Sequence, residues 1–157
     1  DPGPTGAYPM AQTVGSGCAV FDADGDGRPD LYFLHNVAPG SASRNALYLQ
    51  RPDGTFADAS AGSGLDFAGP CMGCAVGDLD NDGRPDLLVT LVGGLRLFRN
   101  AGGGKFADAT DAAGLRNPLW GTSAAVFDYD RLSPRQYRHH LRSDSAVIRV
   151  LAEHGAV

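Results

Sequence analysis

The chain has 157 residues, enough for one domain with a hydrophobic core, and a formal net charge of −5. Residues 1–130 are acidic, with a net charge of −8, whereas residues 131–157 carry five arginines and a net charge of +3. An acidic body disfavours nucleic acid as a partner, because phosphate binding requires a basic surface. No apolar run approaches the roughly 18–20 residues that span a bilayer, so we expect no insertion into a membrane.

The chain order predicts three parts. Residues 1–16 are a lead-in, residues 17–130 contain repeats, and residues 131–157 form an atypical tail. The chain begins at Asp1 without a signal-peptide pattern, so we expect a processed or excerpted chain.

Residues 17–130 repeat one pattern. GCAVFD (17–22) recurs as GCAVGD (73–78), and GTFADASAGSGL (54–65) recurs as GKFADATDAAGL (104–115). Between these blocks lie short runs such as DLYFL, ALYLQ and DLLVTLV, which are rich in strand-forming residues and bounded by Gly, Asp and Asn turns. Four short strands per roughly fifty residues are typical of a propeller blade. We therefore predict an all-β fold, a partial β-propeller of about two to two and a half four-stranded blades.

Two nine-residue segments of the repeat concentrate carboxylates. In FDADGDGRPDLYF (21–33) and GDLDNDGRPDLLV (77–89), Asp occupies loop positions 1, 3, 5 and 9, and Gly occupies position 6. Ca²⁺ prefers six to eight oxygen ligands from carboxylates, carbonyls and water, and Gly at position 6 permits the sharp turn around the ion. An EF-hand would need an acid at position 12, where these segments have Phe33 and Val89.

The sequence therefore predicts two β-hairpin calcium loops, in which position 7 contributes its backbone carbonyl. Mg²⁺ fits less well, because it prefers a small rigid shell with retained waters. The alternative is a solvated Asp-Gly turn without an ion. The predicted metal ligands are Asp22, Asp24, Asp26, Arg28, Asp30, Asp78, Asp80, Asp82, Arg84 and Asp86.

These loop segments and GGGKFADATDAAGL (102–115) resemble the FG-GAP/VCBS repeats of integrin-α-like propellers, and more narrowly the cartilage acidic protein and UnbV (ASPIC) family. The resemblance runs from about Tyr8 to Asp130. It implies a propeller of about seven blades with calcium in the hairpin loops, and the Asp residues of both loops match the ligand positions. It also implies a secreted, cell-surface or periplasmic protein that binds partners rather than catalysing a reaction.

From this resemblance we expect a calcium-binding, non-enzymatic extracellular module that binds a protein or a glycan. One alternative is a propeller domain of a secreted polysaccharide-active enzyme. Another is a truncated, non-functional gene product.

The third copy of the repeat breaks off. GTSAAVFDYDR (121–131) supplies Asp128 and Asp130 at loop positions 1 and 3, but positions 5 and 9 are Leu132 and Gln136, so we assign no ion there. The change at Arg131 indicates a frameshift or truncation, with a short amphipathic helix in SAVIRVLAEHG (145–155) as the alternative. Because so few blades cannot close a ring, we expect a fragment that packs with remaining blades or self-associates.

The three cysteines do not have the spacing of a zinc site, which would need a second pair. We predict that Cys18 and Cys74 pack in the blade interior. A Cys71–Cys74 or Cys18–Cys74 disulfide is the alternative. Phe56 and Phe106 recur on the outermost strand and are predicted to anchor each blade.

Overall fold

The structure, a computed structural model, describes residues 16–36, 42–115, 118–126 and the backbone of 149–152. Every regular element within these ranges is a β-strand, so the predicted all-β class is confirmed. No helix in the described part of the chain is long and apolar enough to cross a membrane.

The first blade is a four-stranded antiparallel meander. Its strands are β1 (Cys18–Phe21), β2 (Asp30–Phe33), β3 (Ala46–Gln50) and β4 (Phe56–Asp58). The second blade repeats this order with β5 (Cys71–Gly77), β6 (Asp86–Leu91), β7 (Gly94–Gly102) and β8 (Lys105–Asp108). The predicted blade unit of four short strands is therefore present twice, and each Asp loop joins the first two strands of its blade.

A further two-stranded sheet pairs β9 (Gly121–Ala125) with β10 (Arg149–Ala152). The helix considered for residues 145–155 is wrong at residues 149–152, because these form a strand whose hydrogen bonds go to β9. The rest of the tail lies outside the described residues, and so does the third Asp loop with Asp128 and Asp130.

The two blades pack face to face through a shared apolar core. Tyr32 and Leu47 from the first blade are fully buried in it, as are Leu87 and Val89 from the second. Burial of one such side chain contributes about 1.5–3 kcal/mol, so this contact dominates the cohesion of the pair. Because the blades pack in this way, the two Asp loops lie at the same end of neighbouring blades.

Hydrogen bonds also cross the contact between the blades. The side-chain amide of Asn100 donates to the carbonyl of Ala23 at 3.1 Å, inside the first Asp loop. The backbone N–H of Phe106 donates to the carbonyl of Ser63 at 2.7 Å. The first loop is therefore braced by the second blade as well as by its own strands.

The opposite face of the first blade is apolar and open. Phe33 and Phe56 are 41% and 40% exposed there, and they line a groove of about 320 Å³. The prediction that Phe56 anchors its blade is therefore wrong, whereas Phe106 is buried and meets Phe21 edge to face at 6.1 Å. Four residues of this open face occupy the same strand positions as four residues that are buried between the blades. The equivalent pairs are Leu31 and Leu87, Phe33 and Val89, Tyr48 and Phe98, and Phe56 and Phe106.

Cys18 differs from the sequence prediction, whereas Cys74 packs against the shared core as predicted. Cys18 is exposed, Cys74 is partly buried and Cys71 is fully buried. Burial of Cys18 was wrong because its side chain lies on the open face of β1. All three are free thiols, so neither considered disulfide is present. Burial raises the pKa of the Cys74 thiol to about 11, which keeps it protonated at neutral pH.

Candidate metal centres

The carboxylate at position 1 organises each Asp loop. Asp22 accepts hydrogen bonds from the backbone N–H groups of Gly25 and Gly27, both at 2.8 Å, and from that of Asp26 at 3.1 Å. Asp78 likewise accepts from Asp82 at 3.1 Å and Gly83 at 2.9 Å. Because these donors follow one another along the chain, the backbone curls around the carboxylate.

Two loop positions require left-handed backbone. Gly27 and Gly83 at position 6 both have φ of 85°, as expected from their place in the predicted turn. Position 4, which was not predicted to need this conformation, adopts it too: Gly25 has φ of 86° and Asn81 has φ of 58°. Gly and Asn are the residues that adopt this conformation at least cost, and this shared preference was the signal available in the sequence.

The carboxylate at position 9 is buried and ties the loop to the third strand. Asp30 is fully buried, with Oδ2 accepting from the N–H of Ala23 and Oδ1 from the N–H of Gln50, both at 2.8 Å. Asp86 is 1% exposed and accepts from Leu79 at 3.0 Å and Asn100 at 2.9 Å in the same way. These bonds fix the ninth-position carboxylates against the loop interior.

Three of the four carboxylates in each loop converge. Each of the three offers an oxygen within 4.8 Å of the other two, and these sets are Asp22, Asp24 and Asp30, and Asp78, Asp80 and Asp86. Two oxygens that each lie about 2.3–2.6 Å from one calcium ion are separated by at most about 5 Å. The spacing of each cluster is therefore compatible with a single shared cation, and water or carbonyl oxygens would complete the shell.

The carboxylate at position 5 lies outside these clusters. Asp26 Oδ1 accepts from the N–H of Arg28 at 2.9 Å, and Oδ2 pairs with the Arg28 guanidinium. Asp82 and Arg84 form the same arrangement. In both pairs the two carboxylate oxygens contact the neighbouring arginine, and the ligand role predicted for Asp26 and Asp82 stays a prediction.

The arginine at position 7 has a role that the sequence analysis did not assign. Arg28 Nε donates to the carbonyl of Gln50 at 3.0 Å, and Arg84 Nε donates to that of Asn100 at 2.9 Å. Each arginine side chain therefore holds its loop to the third strand of the blade. This role is additional to the predicted one, in which the backbone carbonyl at position 7 coordinates the ion. The recurrence of Asp and Arg at positions 5 and 7 in both loops was the signal for this pair.

The electrostatics of the first cluster favour a cation. Burial raises the pKa of Asp24; a hydrogen bond from the Asp26 backbone opposes this, and the neighbouring carboxylates Asp26, Asp30 and Asp22 raise it further. Among the residues that the structure describes, Asp22, Asp24 and Asp30 form no ion pair with Arg, Lys or His. Oxygen-only donors with uncompensated negative charge fit a hard cation such as Ca²⁺.

The second cluster has a cationic side chain beside it. Arg99 Nη1 lies 3.6 Å from Asp80 Oδ2 and pairs directly with Asp86. Burial raises the pKa of Asp80, and the Arg99 charge opposes this increase. Arg99 was not among the predicted site residues, because it lies thirteen residues beyond Asp86 and reaches it through the pairing of β6 with β7.

Two adjacent antiparallel blades, each with a carboxylate cluster in its first hairpin, define a propeller-type repeat module with candidate cation sites. Residues 22–89, from the first Asp loop through the second, match the family model of the FG-GAP-like repeat. This match supports the FG-GAP repeat family for that segment. No curated protein matches the chain.

Proposed function

We propose that this chain is a calcium-binding, non-enzymatic propeller module that acts outside the cell and binds a protein or a glycan. The observation that carries the proposal is the first cluster, in which three convergent carboxylates have no cationic side chain among the described residues. The match to the FG-GAP-like repeat supports the propeller context. The narrower similarity to the cartilage acidic protein and UnbV (ASPIC) family stays a prediction.

The proposed ion has a structural role. It neutralises a cluster that includes the fully buried Asp30 and so stabilises the hairpin between β1 and β2. Extracellular calcium modules bind with dissociation constants of about 10⁻⁴–10⁻³ M. A free calcium concentration ten times the dissociation constant stabilises the folded state by about 1.4 kcal/mol.

The chemistry of the loops supports a binding role rather than catalysis. The carboxylates at positions 1, 5 and 9 are all engaged by backbone N–H groups of their own loop or blade. A general acid or base instead needs a carboxyl group free to exchange a proton with a substrate. We place the partner-binding surface on other loops, because the Asp loops are committed to holding the hairpins.

We also propose that a further blade of the same repeat packs on the open face of the first blade. The support is the register equivalence of Leu31, Phe33, Tyr48 and Phe56 with residues that are buried between the two blades. An apolar groove of this kind is otherwise an unusual surface for a water-exposed sheet. This neighbour is a structural partner, distinct from the protein or glycan ligand.

Thermal unfolding in calcium and in chelator tests the calcium proposal. Millimolar calcium should raise the melting temperature of the wild-type chain, and Asp24→Asn should remove most of the increase. Asp111→Asn is the matched control, because Asp111 is exposed and belongs to neither cluster. A melting temperature that is indifferent to calcium would contradict the proposal, and equal stabilisation by magnesium would contradict the choice of calcium.

A further inference from the structure

We propose that Arg99 is a built-in counter-ion of the second cluster, so that calcium binds there with at least tenfold lower affinity than at the first cluster, which is called the tight site below in this relative sense. This proposal rests on the proposed calcium function. It adds that two loops of almost the same sequence differ in their affinity for calcium. It starts from the placement of one guanidinium group. Arg99 pairs with Asp86 and lies 3.6 Å from Asp80, so it contacts two of the three convergent carboxylates.

The first blade has leucine where the second blade has Arg99. Strand pairing sets Leu49 opposite Ala57 and Arg99 opposite Ala107. Each of the two lies one residue before the residue whose N–H binds the ninth-position Asp, Gln50 in one blade and Asn100 in the other. Leu49 and Arg99 are therefore equivalent positions, and the exchange brings a permanent positive charge to one cluster only.

Leu49 packs elsewhere. Its Cδ1 atom lies 3.3 Å from the point that a Cβ would occupy at Gly104, so the side chain is directed at the β7–β8 hairpin of the second blade. The first cluster consequently keeps its negative charge, whereas two carboxylates of the second cluster are already paired. Arg99 therefore reduces the negative charge that the second cluster presents to an ion.

Arg99 and a calcium ion compete for the same carboxylate oxygens. A divalent cation that enters the second cluster must displace the guanidinium from Asp86 or bind beside it, and like charges at such distances repel. Removal of Arg99 should therefore tighten calcium binding at the second loop by about tenfold or more, which corresponds to about 1.4 kcal/mol.

Calcium titration of the whole chain, followed by calorimetry, tests the difference in calcium affinity between the two clusters. The wild-type chain should bind one calcium tightly, and Asp24→Asn should remove that site. Arg99→Leu should bind two, whereas Arg99→Lys keeps the charge and should still bind one. Leu49→Arg should remove the tight site, and the double exchange Leu49→Arg with Arg99→Leu should move it to the second loop, where Asp80→Asn then abolishes it.

Two results would overturn the inference while leaving the calcium function intact. One is a wild-type chain that binds two ions with equal affinity. The other is an Arg99→Leu chain that still binds only one. If Arg99→Leu does not fold, Leu49→Arg decides: an unchanged tight site in that variant refutes the competition.

A calcium-free measurement separates this inference from the calcium function. In chelator, Arg99→Leu should lower the melting temperature, because the buried Asp86 loses its counter-ion, and Arg99→Lys should restore part of the loss. If no variant binds calcium, the proposed function fails and the unequal affinities fail with it, while this measurement still decides the counter-ion role. An unchanged melting temperature for Arg99→Leu in chelator would overturn that role.

Discussion

Replacement of Asp30 by Asn, compared with the same replacement at Asp24, distinguishes the hydrogen bonds that Asp30 accepts from the negative charge that it adds to the first cluster. The side chain is fully buried and serves two backbone donors, the N–H of Ala23 on one oxygen and the N–H of Gln50 on the other. Asn has a similar shape but only one acceptor atom, so either the buried N–H of Ala23 or the partly buried N–H of Gln50 loses its partner. An unsatisfied buried donor costs about 1–3 kcal/mol.

Asp24→Asn is the matched comparison. Asp24 accepts from a single backbone donor, the N–H of Asp26 at 3.1 Å, and the Asn carbonyl oxygen can take over this bond. Both variants remove one charge from the same cluster, so the relief of repulsion largely cancels between them. In chelator, Asp30→Asn should therefore have a free energy of unfolding about 1–3 kcal/mol below that of Asp24→Asn.

Urea unfolding followed by circular dichroism, with chelator and then with millimolar calcium, measures this difference. Both variants should lose most of the stabilisation by calcium, because each lacks one of the three convergent carboxylates of the first cluster. Equal unfolding free energies in chelator would contradict a stabilising role of Asp30 through its two hydrogen bonds. A full calcium response in either variant would refute its membership of the site.

Two further predictions concern the turns. In urea unfolding, Gly64→Ala should lower the free energy of unfolding by more than Gly54→Ala. A Cβ at Gly64 would lie 2.1 Å from the Phe106 carbonyl oxygen, whereas a Cβ at Gly54, which has a similar φ, meets nothing within 4 Å. Equal losses would contradict the close approach at Gly64. Hydrogen bonds from Ser60 hold the pKa of Asp58 below 3.8, so the stability that Asp58 contributes is present above about pH 4 and lost as the pH falls through its lower folded pKa. The urea midpoint of Asp58→Asn should therefore decline less below about pH 4 than that of the wild type, and parallel declines would contradict this assignment.

The hairpins and the convergence of carboxylates follow from local spacing. Asp at positions 1, 3 and 9 of a curled nine-residue loop must lie near one another, and Gly at position 6 marks the turn. The repeated FADA block is also local in origin: Asp58 Oδ1 accepts from the N–H of Ser60 at 2.9 Å, and the Ser60 hydroxyl accepts from the N–H of Leu47 at 3.0 Å. These features were within reach of sequence because their partners lie in the same blade.

Other features could not be predicted from the sequence, because they depend on which of several partners a side chain contacts or on strands that are distant along the chain. Asp26 has the spacing of a ligand, but the arginine two residues later offers it a closer positive charge. Arg99 comes to the second cluster only through strand pairing. The exposure of Cys18 depends on which face of β1 meets the other blade, and no local pattern around this residue distinguishes the two faces.

The contact between the two blades joins unlike surfaces. The second blade presents the face that contains Leu87 and Phe98, and the first blade receives it with its opposite face, which contains Tyr32 and Leu47. Such a heterologous, head-to-tail contact has a direction, so successive blades can be added only in one sense, and the series ends only when its rotation closes a ring. The open face beside Phe33 corresponds to the face that the second blade presents, so the further blade that we propose would meet it with the face that corresponds to Tyr32 and Leu47. That contact and the first calcium loop would then depend on different residues of the same blade.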